Sequence, residues 1–93
     1  MTTTVTITTT ENGETHTHQI VLTDPALSRA RRAFNPSGSM QVDKLKCLAA
    51  AFYTELAHIA TQAVGVGEAG REAATAATHI QAGAMFAVSA ATA

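Results

Sequence analysis

The chain has 93 residues, six Lys and Arg against seven Asp and Glu, and a formal net charge of −1. That length makes one small domain spanning residues 1–93, with a modest core. The balanced charge leaves no basic field of the kind that gathers a nucleic acid polymer.

Composition divides the chain. Residues 1–23 are threonine-rich and lack alanine; residues 24–93 are alanine-rich and carry no proline after Pro36. Strand formers therefore precede helix formers. The threonine run has no basic flank and no apolar segment, so it does not read as a signal peptide.

The first element predicted is a β-hairpin about Asn12-Gly13, a dipeptide favoured in two-residue type I′ turns. Such a turn sets Glu11 opposite Glu14, Ile7 opposite His18, Val5 opposite Ile20 and Thr3 opposite Leu22. One face then gathers Val5, Ile7, Ile20 and Leu22, while the other is mostly threonine. The facing glutamates oppose the register mildly. A lone two-stranded hairpin is marginal in water, so this one needs the helices or strands of another copy. His16 and His18 share a face, but no third metal ligand stands near them; they read as surface histidines.

A short helix follows, with Asp24 as the expected N-cap and Pro25 at its first position. Leu27, Ala30 and Phe34 recur at helical spacing. Pro36 then disfavours helix at Asn35, and Ser37, Gly38 or Ser39 opens the next helix. The stretch Arg31-Arg32-Ala33-Phe34-Asn35-Pro36-Ser37-Gly38-Ser39 places two cations, an aromatic ring and an amide beside a helix start. Arginine forks suit phosphate, a helix start suits an anion, and a ring suits a base. Two readings follow: a pocket for a phosphorylated, base-containing small molecule, or a linker whose Phe34 plugs the core.

The second helix is expected over about Met40 to Gln62. Val42, Leu45, Ala49, Phe52, Leu56, Ile59 and Ala63 form a stripe suited to packing along another helix. Val64-Gly65-Val66-Gly67 reads as a short connection, and the third helix as about Glu68 to Thr92, giving an antiparallel helical hairpin. The fold class expected is α+β. Cys47 stands alone, which fits a reducing compartment.

From Ala73 to Ala93 the third helix has no formally charged residue. Its threonines, His79, Gln81 and its many alanines argue against a membrane span. An uncharged helix belongs in a core, with Ala73, Ala76, Ile80, Gly83, Ala87 and Ala90 toward the second helix. Two helices and a hairpin cannot surround it, so a homo-oligomer is expected. Arg71 at the start of that helix has the wrong sign for the helix dipole. Ser37 and Ser39 lack a recognisable His and carboxylate set, so an enzyme is not expected.

Arg32-Ala33-Phe34-Asn35-Pro36-Ser37-Gly38, then Val42-Asp43-Lys44-Leu45-Lys46 and Leu48-Ala49-Ala50-Ala51-Phe52, resembles the first half of a phage helical-hairpin family. Arg71-Glu72-Ala73-Ala74-Thr75-Ala76-Ala77-Thr78-His79-Ile80-Gln81, followed by Ala84-Met85-Phe86-Ala87-Val88, resembles its second half. The likeness covers roughly residues 31–93. The family comprises anti-defence proteins that counter CBASS and Thoeris immunity by sequestering nucleotide second messengers without cleaving them. The N-terminal hairpin is more like the Thoeris-directed branch.

The resemblance implies cyclic di- and trinucleotides and cyclic ADP-ribose isomers as ligands, and no cofactor. It also implies a hexamer with pockets between protomers, working in the cytoplasm of an infected bacterial host. Matching positions carry over as ligand-binding: Arg32, Phe34, Asn35, Ser37 and Gly38, with Arg71 and Thr78. Arg31 and Lys44 join them on chemistry. Phe86 stands where members often have Trp, and Ser89 where they often have Lys, which bears on ligand preference. The alternative is a phage structural or assembly oligomer of helices with no small ligand.

Overall fold

The computed structural model describes residues 2–62 and 67–93. Strands β1 (Thr3–Glu11) and β2 (Glu14–Leu22) form an antiparallel hairpin, followed by helices α1 (Asp24–Arg29), α2 (Met40–Gln62) and α3 (Gly67–Ala91). The α+β class expected from composition is therefore present. Of the connection expected at Val64-Gly65-Val66-Gly67, all but Gly67 lies outside the described residues, as does Ala63.

The hairpin has the register that its turn dictates. Asn12 and Gly13 take φ of 52° and 80°, as a type I′ turn requires at both central positions. Glu11 faces Glu14, Ile7 faces His18, Val5 faces Ile20 and Thr3 faces Leu22. Leu22 is buried, and Val5 and Ile20 pack against the core. Ile7, nearer the turn, stays 42% exposed. The sheet is thus anchored at its open end and bare at its tip.

The cap of α1 lies one residue earlier than expected. Thr23, not Asp24, is the N-cap, and its hydroxyl accepts the Ala26 N–H at 3.3 Å. Asp24 instead supplies negative charge in the first turn, where the helix dipole favours it. The Thr23 N–H donates to Thr54 Oγ1 at 3.4 Å, and that hydroxyl donates to the Ala50 carbonyl at 2.9 Å. The strand-to-helix junction is thereby tied to the middle of α2.

Helix α2 is where sequence pattern and packing part. The buried residues are Val42, Lys46, Ala49, Ala50, Ala51, Tyr53 and Thr54. Of the stripe expected against α3, Phe52 and Ile59 are 50% and 47% exposed. The buried face is turned by about one residue. The reason is that α2 packs against α1, the hairpin and α3, and three successive alanines let these neighbours approach closely. Leu48, Phe52 and Ile59 lie on the arc left over.

Helix α3 runs antiparallel to α2, since Val88 and Thr92 near its end line the same hollow as Val42 and Lys46 near the start of α2. Ala73 and Ala77 are buried, and Ile80 and Ala84 pack on the core. Gly83 and Ala90, expected on the inner face, are exposed. Ala73 and Ile80 lie on the inner face as expected, Ala76 and Ala87 are half-buried, and Ala77 and Ala84 join that face in place of Gly83 and Ala90.

The single chain leaves much surface uncovered. Its accessible area is 6597 Å², about 1,500 Å² above the ~5,100 Å² typical of a folded monomer of this mass. Met40, Phe86, Met85 and Phe34 are 80%, 77%, 68% and 57% exposed. No helix among the described residues is long and apolar enough to cross a membrane.

Candidate ligand site

The loop between α1 and α2 is built by its own polar atoms. Helix α1 ends in a pair of reversed hydrogen bonds: the Arg31 N–H donates to the Ser28 carbonyl at 3.0 Å and the Arg32 N–H to the Leu27 carbonyl at 3.1 Å. That is a Schellman closure, which needs a left-handed residue, usually glycine, just after the cap. Arg31 fills the position with φ of 55°. A residue with a Cβ is strained there by roughly 1–2 kcal/mol.

Beyond the reversal, the Asn35-to-Gly38 turn closes through a Gly38 N–H to Asn35 carbonyl bond of 3.0 Å, and Gly38 takes φ of 65°. Asn35 Nδ2 donates to the Ser39 carbonyl at 2.9 Å, and Ser37 Oγ donates to Asn35 Oδ1 at 3.0 Å. Ser39 caps α2, its hydroxyl accepting the Val42 N–H at 3.3 Å. Of the three residues expected to open α2, Ser39 does so. Asn35, Ser37 and Gly38 thus shape the loop.

The two arginines diverge. Arg32 lies against Asp43, with Nε to Oδ1 at 2.8 Å and Nη2 to Oδ2 at 3.4 Å. Arg31 has no carboxylate partner among the described residues. Its guanidinium sits 4.9 Å from the centroid of the Phe34 ring, a cation–π distance. Phe34 is more than half exposed, so within the protomer its ring does not plug the core.

Lys46 is the member of the site that sequence reasoning missed. It is 8% exposed, and its ammonium donates to the carbonyls of Arg31, at 3.0 Å, and of Phe34. It also lies 5.5 Å from the Phe34 ring centroid. The signal was there in part: Lys46 is four residues from Val42 and three from Ala49, on a helical stripe with both. Nothing local says that the facing loop offers two carbonyls to a buried cation.

Two hollows share Phe34 as a wall. One, of about 340 Å³, is lined by Phe34, Pro36, Val42, Val88 and Thr92, with Lys46 in its lining. The other, of about 460 Å³, is lined by Leu27, Ser28, Arg31, Arg32, Ala33 and Phe34. Both fall in the range of small-molecule sites, roughly 300–1,000 Å³. Both are mainly apolar; the second also carries Arg31, a cation with no carboxylate partner among the described residues.

The remaining expected residues lie elsewhere. Arg71 and Thr78 are both exposed on α3, two turns apart on one face. Arg71 is 3.4 Å from Glu68 in an exposed i,i+3 pair, an interaction worth little. Thr78 Oγ1 donates to the Ala74 carbonyl at 3.2 Å. Val88, which touches the loop's hollow, is seventeen residues beyond Arg71, about 25 Å along the helix. The two sets of residues therefore lie far apart on the chain. Lys44 is exposed on α2 and lines neither hollow.

Electrostatics agree with a pre-shaped loop. Hydrogen bonds from Arg32 hold the Asp43 carboxyl below its ordinary range; burial opposes them and the charge of Arg32 adds to them. Burial pushes the Cys47 thiol up, and the negative charge of Asp43 adds to it, which keeps it protonated and poorly nucleophilic at neutral pH. Among the described residues no group of three or more His, Cys, Asp and Glu is placed to hold a metal ion.

A depressed carboxyl stabilises the folded state above the unfolded pKa, ~3.9 for Asp. That contribution is lost as pH falls through the lower folded value. Both partners are about one-third exposed, so solvent screens the pair and the effect is small. In thermal melts the Asp43→Asn chain should lie below the natural chain at pH 7, with the gap closing below about pH 4. A gap that stays constant to pH 2 would remove the Arg32–Asp43 pair from the account.

No family model matches the chain, and neither the curated proteins nor the solved structures contain a match.

Proposed function

We propose that this protein is a non-catalytic sponge for nucleotide second messengers. It holds cyclic ADP-ribose isomers or cyclic di- and trinucleotides without cleaving them, as an oligomer, in the manner of the phage anti-defence proteins that its helical region resembles. The hexamer and the cytoplasm of an infected bacterial host belong to the same proposal.

The observation that carries it is the pairing of an exposed ring with a guanidinium, on a strained backbone, that has no carboxylate partner among the described residues. Phe34 walls both hollows, and Arg31 beside it lines the larger of the two. A ring and a cation at this spacing suit a base and its phosphate. Arg31 occupies a left-handed position that glycine would fill without strain, and strain of this kind collects at functional sites. Arg71 and Thr78, on the exposed face of α3, supply a second site for phosphate where copies meet.

A second reading, a structural or assembly oligomer without a small ligand, draws on the exposed apolar residues of α2 and α3. Native mass spectrometry against a panel of cyclic nucleotides separates the two. The sponge takes up at least one member, and heating the protein returns that ligand intact. Arg71→Ala should lose the cyclic trinucleotide while the assembly keeps its mass. A cleaved product, or no uptake across the panel, would overturn the sponge.

A further inference from the structure

The face of α2 turned away from the core carries an ordered apolar ridge. Leu48, Phe52 and Ile59 are 51%, 50% and 47% exposed. At about 100° per residue they fall within roughly 40° of arc. Leu45 and Leu56 extend the ridge on its half-buried side. Lys44 and Glu55, both exposed, lie together on its other side.

We propose that this ridge is a two-fold interface, on which α2 of a second copy lies antiparallel. The occupant is a second copy on two grounds. First, the protomer's surplus surface of about 1,500 Å² exceeds the ~800 Å² per partner that a standard stable interface takes. Second, the ridge is complementary to itself. In an antiparallel two-fold pairing, like flanks meet, so Lys44 of one copy comes level with Glu55 of the other, twice. That same register sets Leu48 beside Phe52 of the second copy and Met40 beside Ile59. Met40, 80% exposed at the start of α2, thereby gains a partner. The contact is isologous and closes on itself. A hexamer of dihedral symmetry would contain it three times.

This inference rests on the oligomeric part of the reading above and on none of its ligand part. Its test is therefore run without nucleotide, by light scattering and sedimentation with helix content followed by circular dichroism. Phe52→Glu and Leu48→Glu, both at exposed positions, should keep the helix signal and yield a smaller particle, raising the dissociation constant by at least about tenfold. Lys44→Glu and Glu55→Lys should each weaken assembly by placing like charges level with one another, and the doubly substituted chain should recover to within about threefold of the natural one. An unchanged particle mass in both ridge variants would overturn the interface while leaving oligomerisation through another face intact. Failure of the charge exchange to recover assembly would overturn the antiparallel register. A natural chain that stays monomeric at about 100 μM would overturn the proposal outright.

Discussion

Replacing Phe34 with Ala should weaken the binding of a cyclic dinucleotide or cyclic ADP-ribose isomer by at least about tenfold, equivalent to 1.4 kcal/mol, and should leave the fold nearly untouched. Stacking on an aromatic ring contributes roughly 1–3 kcal/mol per base in single-strand binders. The ring is more than half exposed, so its removal uncovers little core. What the fold loses is the ring's contacts with Arg31 and Lys46, each worth roughly 0.5–1 kcal/mol. The melting temperature should fall by only a few degrees. Calorimetric titration of the folded variant, beside a thermal melt, reads both quantities. Near-normal affinity combined with a large loss of melting temperature would make Phe34 a packing residue and remove it from the site.

Arg31→Gly should also separate stability from binding. Glycine takes the left-handed conformation at C′ without a Cβ clash. Relief of roughly 1–2 kcal/mol of strain is offset by glycine's larger ordering entropy of roughly 0.5–1 kcal/mol and by the lost contact with the Phe34 ring. These contributions nearly cancel, so the melting temperature should stay within a few degrees of the natural chain's. Affinity for the phosphorylated ligand should fall by about tenfold or more, because a charge-assisted hydrogen bond contributes about 1.5–3 kcal/mol. Arg31→Ala is the companion measurement. It should lose as much affinity as glycine but remain strained, and so melt lower. Retained affinity in both chains would show that Arg31 closes α1 and does nothing more.

The two variants bear on one physical point. Arg31, Phe34 and Lys46 form a single unit: the strained residue displays the cation, its reversal brings out the ring, and the buried ammonium holds both carbonyls. Such a loop is fixed by its own contacts, which would lower the ordering cost of binding the proposed ligand. Arg32 and Asp43 brace the same loop from the side of α2.

How much of this was legible differed between elements. The hairpin register followed from Asn12-Gly13 and the alternation of Val5, Ile7, Ile20 and Leu22, because a two-residue turn and a period of two leave no other pairing. The span of α2, Met40 to Gln62, was legible because Pro36 and the capping serine before it, and the glycines after it, are local signals. The same locality misplaced the cap of α1 by one residue: Asp24 and Thr23 are both good caps, and the hydrogen bond from Thr23 to Thr54, 31 residues on, goes with the cap at Thr23.

Phe34 shows where local reading stops. The spacing of Leu27, Ala30 and Phe34 assumes a helix that continues; the Schellman reversal at Arg31 ends it and takes the ring out of the stripe. Lys46 reads as a surface charge until a loop places two carbonyls against it. Arg71 and Thr78 are matched in sequence to the same likeness as Phe34, yet the length of α3 holds them apart from it.

By itself, then, the sequence determined the order of the elements, the spans of α2 and α3 and the hairpin register, because turns, caps and periodicity act over a few residues. Only the tertiary structure decided which face of α2 is buried, that Phe34 stands exposed beside Arg31, and that Lys46 is enclosed. Those outcomes depend on how α1, the hairpin and α3 share the surface of one helix, and that division is made by packing between residues distant in the chain.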